Sequence, residues 1–179
     1  MNGEVEAIRL LLDEGGDVNK HDRQYGNALQ AAAFNGEVEA IRLFLDREAD
    51  VNARGGEYVQ TKLPLDEVAD VRAFSTCGDA LMAAIMNSNV EATKLLLHKG
   101  ADINTENKYL GNELQVSARY GNIDIMWLLL DKGVDINAKG RKYGNVLQAA
   151  LCNIKTIQFL LVLGIVASNR FGLRSSIIN

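Results

Sequence analysis

A step of 33 residues runs through this chain, and it limits the possible folds more than any other feature. Gly3 to Gly36 spans 33 positions, and so do Gly78 to Gly111 and Gly111 to Gly144. Matched residues travel with the step. GEVEAIRLLLDEGGDVN (3–19) returns as GEVEAIRLFLDREADVN (36–52), and YGNALQAAAFNG (25–36) returns as LGNELQVSARYGN (110–122) and YGNVLQAALCN (143–153). A period of this length marks a stack of small units, none of which can bury its apolar face alone. From Gly26 to Gly78 the step is 52, so that junction carries 19 extra residues.

Each unit holds two helical patterns. The longer one places apolar residues at offsets 0, 3, 6 and 7, as in Val5, Ile8, Leu11, Leu12 and again in Val38, Ile41, Phe44, Leu45. Ile123, Met126, Leu129 and Leu130 repeat it, and similar sets start at Val90 and Ile154. This spacing lines one helical face, and pairs such as Ala40/Leu43 widen the stripe. The shorter helix starts at Asn27, Asp79, Asn112 or Asn145, residue types that accept bonds from first-turn amides. Behind each cap lie small apolar segments: ALQAAA, ALMAAI, ELQVSA and VLQAAL. After the longer helix comes Gly-x-Asp-x-Asn, except that Glu48 replaces the glycine in EADVN, where a left-handed cap is less comfortable.

Two helices and an extended polar connector in 33 residues resemble the ankyrin repeat. Its usual Thr-Pro-Leu-His stands here as Asn27-Ala28-Leu29-Gln30, Asp79-Ala80-Leu81-Met82, Asn112-Glu113-Leu114-Gln115 and Asn145-Val146-Leu147-Gln148. The G-x-ALQAA form with its NARGG linker (52–56) is similar to repeat arrays of filamentous-fungal proteins. The resemblance implies an all-α solenoid of stacked helix-turn-helix units, about four and a half repeats with one insertion. The expected divisions of this single domain are a partial repeat at 1–24, repeats at 25–57, 77–109 and 110–142, an insertion or degenerate repeat at 58–76, and a short last repeat with tail at 143–179. The motif histidine is absent from every unit, so its contacts fall to glutamine or, at Met82, are lost. LDEVADVRAF (65–74), after Pro64, reads as a short helix protruding from the stack or as the remains of a repeat.

Both ends depart from the pattern. The chain opens at a longer helix with no short helix before it, and the last unit is two residues short, with Val166 in place of the expected aspartate. Free-standing arrays need polar outer faces. The expectation is a piece of a longer array or a covered end, with Phe171, Leu173, Ile177 and Ile178 as an improvised cap.

Little points to chemistry. His21 and His98 occupy non-equivalent places, and a histidine at a helix C-terminus is explained by the dipole. There is no phosphate loop, nucleophile elbow or two-cysteine metal spacing. The pairs Asp17/Asn19, Asp50/Asn52, Asp102/Asn104 and Asp135/Asn137 read as turn residues rather than cation ligands. A formal charge of -4 supplies no basic field for nucleic acid, and the most apolar run, Phe159 to Ala167, is too short for a membrane span. The reading is therefore a non-enzyme without cofactor or metal, in the cytoplasm with the nucleus left open. Its partner is another protein, with a neighbouring domain or upstream repeats as further contacts. The alternatives are a structural or regulatory fragment of a larger multidomain signalling-type protein and, remotely, an enzyme.

In the family, recognition uses connector tips and the exposed side of the short helix. Carried over, the short-helix positions are Ala31, Phe34, Asn35; Ala83, Met86, Asn87; Val116, Arg119, Tyr120; and Ala149, Cys152, Asn153. Aromatic and arginine residues anchor interfaces, so the candidates are Phe34, Met86, Arg119 and Tyr120 with the connector residues Arg23, Arg54, Tyr58 and Arg141. Tyr25 and Tyr143 recur at one position, with Tyr109 one residue earlier in its unit, and all three read as structural. Trp127 is the last candidate: it stands where other units carry Arg9, Arg42, Lys94 or Gln158, at a water-facing position.

Overall fold

The computed structural model describes residues 3–21, 26–54, 78–103, 105, 111–140 and 144–170, without the side chains of 152, 163 and 165–170. The insertion and the tail after residue 170 lie outside these residues. The helices are α1 (Gly3–Asp13), α2 (Ala28–Asn35), α3 (Val38–Asp46), α4 (Ala80–Met86), α5 (Val90–His98), α6 (Glu113–Tyr120), α7 (Ile123–Asp131), α8 (Val146–Ala149) and α9 (Ile154–Arg170), with a 3-10 turn at Ala150–Cys152. Each short helix begins as its cap predicts. Asn27, Asp79, Asn112 and Asn145 accept from the amides of Gln30, Met82, Gln115 and Gln148, and the three glutamines bond back to close capping boxes.

The longer helices α1, α3, α5 and α7 stack in one layer, and α2, α4, α6 and α8 stack in a second. The core lies between them. Leu29, Leu81 and Leu114 of the short helices and Ile41, Leu96, Met126 and Leu129 of the long ones are fully buried. Helices α2 and α4 pack directly on each other although the insertion separates them in sequence. The units on either side of the insertion are therefore consecutive in the stack, with no unit between them.

Two sets of asparagines hold the units in register. In the connectors, Asp17, Asp50 and Asp135 accept from the amides of Asn19, Asn52 and Asn137, the turn role expected of these pairs. The amides of Asn19 and Asn52 then reach the next unit. Asn19 donates to the Glu48 carbonyl and accepts from the Asp50 amide; Asn52 does the same with Gly100 and Asp102. At the turn between short and long helix, Asn89 Nδ2 donates to the Ala33 and Phe34 carbonyls, and Asn122 Nδ2 to that of Ile85 at 2.7 Å. Gln30 and Gln115 add a third tie, each donating to its own connector (Ala53, Ala138) and to the glycine opening the next unit (Gly78, Gly144). Met82, with no polar hydrogen to offer, makes no such bond.

The last unit is where expectation and structure part. Its short helix breaks after one turn into the 3-10 segment, as a linker two residues short requires. Its long helix spans 17 residues against nine in α7. Gly164 stands where Gly133 ends α7, yet it remains helical, because Val166 supplies no aspartate turn to lead the chain away.

Candidate interaction surface

The short helices were expected to present one exposed side across all units, and α4 does not. All seven of its residues are buried, Met86 at 8% exposure among them. ALMAAIM contains no polar residue, and a helix apolar all round is buried all round. This composition was the available signal. Met86 is thus a packing residue, and Ala83, Val116 and Ala149 are likewise buried.

Exposed side chains flank this dry centre. Phe34 is half-buried on the core near the end of α2, with Asn35 exposed beside it. Arg119 and Tyr120 end α6, both exposed, and Tyr120 keeps 46% of its surface in solvent. Arg54 is an exposed connector residue whose carbonyl lies 2.9 Å from His21 Nε2, so that histidine ties one connector to the next. Arg23, Tyr58 and Arg141 lie outside the described residues. Trp127 is on the long-helix side, 53% exposed, with its ring edge-on to Phe159 of α9 at a centroid distance of 5.2 Å. It is half covered from within the chain.

A second cluster was not anticipated. Asp79, the cap of α4, is 6% exposed, and Glu113, in the first turn of α6, is 0% exposed. Thr105 Oγ1 stands between them, 2.8 Å from Asp79 Oδ2 and 2.5 Å from Glu113 Oε1. Burial raises both carboxyls, with Glu113 pushed up to about 8 against partial relief from Thr105. Glu113 Oε2 is buried and has no partner among the described residues. The signal for this cluster was present in the repeat: each of the three residues breaks its column. Asp79 replaces asparagine, Glu113 stands where other units have Ala28, Ala80 and Val146, and Thr105 where they have Lys20, Ala53 and Ala138.

No described helix is long and apolar enough to cross a membrane. A family model described as Ankyrin repeats matches the chain in three copies, over residues 1–55, 59–140 and 81–170. No curated protein matches it.

Proposed function

Because the chain belongs to the ankyrin repeat family, whose repeats are generally protein–protein interaction modules, we propose that it is a non-catalytic scaffold binding one protein partner. The contact is the end of the short-helix layer, Arg119 and Tyr120 with Phe34, extended by the connector residues Arg23, Arg54, Tyr58 and Arg141. One observation carries this reading. The recurring residues serve caps, core and ties between units, and Arg119 and Tyr120, which break the repeat, keep exposed surface at the end of a short helix. Residues that vary on a constant frame are where such stacks place recognition. The reading includes the filamentous-fungal type of array, a cytoplasmic location and the single-domain division into repeats set out from the sequence. Affinity capture with the intact chain, repeated with Arg119→Ala/Tyr120→Ala of unchanged helicity, tests it. The captured protein is expected to be lost; equal capture rejects this surface.

A second reading makes the array a regulatory or structural part of a larger assembly. Leu11 is 68% exposed where Phe44, Leu96 and Leu129 of other units are 6% exposed or less. Leu147 and Leu151 are 44% and 70% exposed where Leu114 and Ala118 are at 1% and 0%. A neighbouring unit or domain is the natural cover for such leucines.

A further inference from the structure

The junction between α4/α5 and α6/α7 lacks the glutamine tie, because Met82 stands where Gln30 and Gln115 donate. Three residues that break the repeat meet at this junction instead. Asp79 comes from one unit, Thr105 from the connector and Glu113 from the next unit. The aspartate does what asparagine cannot, accepting through both oxygens: Oδ1 from the Met82 amide and Oδ2 from Thr105. A threonine hydroxyl has one hydrogen, yet Thr105 lies within bonding distance of two carboxyl oxygens. With both acids ionised, one of these contacts would set lone pair against lone pair in a buried place. One carboxyl must therefore carry a proton. Asp79 is held as acceptor by the Met82 amide and feels the charge of Arg54. Glu113 is fully buried, faces the negative charges of Asp79 and Asp102, and leaves Oε2 without a partner among the described residues. An unpaired carbonyl oxygen is a modest loss there, and half of an unpaired carboxylate is a far larger one.

We propose that Asp79, Thr105 and protonated Glu113 form a proton-dependent latch joining these two units, closed while the glutamate holds its proton. The glutamic acid donates to Thr105 Oγ1, and Thr105 donates to Asp79 Oδ2. No other ionisable group competes from the helices packed on α6. Helices α4 and α8 carry none, Asp124 and Asp131 of α7 are exposed, Arg119 ends α6 itself in solvent, and the 3-10 turn adds only Cys152. A metal does not explain the cluster: among the described residues no three acidic, histidine or cysteine side chains are grouped to hold one. The folded chain keeps a proton that the unfolded chain releases near the ordinary glutamate value, about 4.5. Stability from the latch is therefore full below that value and is lost as pH rises towards about 8.

The test is a carboxyl-carbon NMR titration of the whole chain labelled at glutamate, from about pH 5 to about pH 9. One glutamate is expected to titrate near 8 and to be missing from Glu113→Gln, whose amide donates the same bond without titrating. Urea midpoints of the variant should lose most of the wild-type decline with pH and stand above the wild type at the alkaline end. A wild-type spectrum in which every glutamate titrates below about 6 overturns the latch, whether or not the variant folds.

Discussion

Single residues show how far the repeat can bend. Gly15, Gly100 and Gly133 turn the chain after their helices with φ near 90°, and Glu48 is held at φ 64 in the same role. A side chain in this left-handed region costs about 1–2 kcal/mol. Glu48→Gly should therefore raise the urea-unfolding free energy by about 0.5–1 kcal/mol, after the extra entropy of glycine is subtracted. Gly36→Ala should act the other way and more strongly. Its Cβ would meet the Asn89 carboxamide at 2.6 Å and dislodge the bonds to the Ala33 and Phe34 carbonyls, besides its φ of 76. A loss of about 2 kcal/mol or more is expected. The Glu48 substitution was visible in the sequence because a column exposes its exceptions. Ser88, at φ 62, is a second such exception, standing where other units have Gly36 and Gly121.

The helices themselves were legible, because cap, apolar spacing and period agree on each of them. The ties between them were not. An asparagine in a polar turn carries no sign that it reaches across to the preceding unit, and only the stacked geometry reveals Asn89 and Asn122 as clamps. Asn122 also accepts from Ser88 Oγ at 2.7 Å. Asn122→Ala leaves the part-buried Ile85 carbonyl without that donor, and a loss of about 1–3 kcal/mol in equilibrium unfolding is expected. Exposed ion pairs across the long helices, Arg47–Asp13 at 2.7 Å and Lys99–Asp46 at 3.4 Å, should matter less, at about 1 kcal/mol or under. Exposure was legible at Arg119 and Tyr120, where polar and aromatic residues end a short helix. It was misjudged at Met86, because position was carried over from the family without asking whether ALMAAIM had a polar face at all.

The whole molecule behaves as a near one-dimensional stack, in which each unit leans on its neighbours. Direct packing of α2 on α4 keeps that stack continuous past the insertion. Exposed leucines in its first and last units mark the places where apolar surface is least covered. Fusing a unit that covers Leu10 and Leu11 should raise the urea midpoint and sharpen the transition, and a chain that gains nothing would remove the second functional reading. The principal claim is that the repeating residues make the frame and the exposed exceptions make the contact. It is tested most directly by titrating the captured partner against the wild type, Arg119→Ala/Tyr120→Ala and Asn122→Ala. The double variant is expected to raise Kd by about tenfold or more at unchanged helicity, each anchor contributing on the order of 1 kcal/mol, while Asn122→Ala, studied where it is folded, binds like the wild type. An unchanged Kd for the double variant would contradict it.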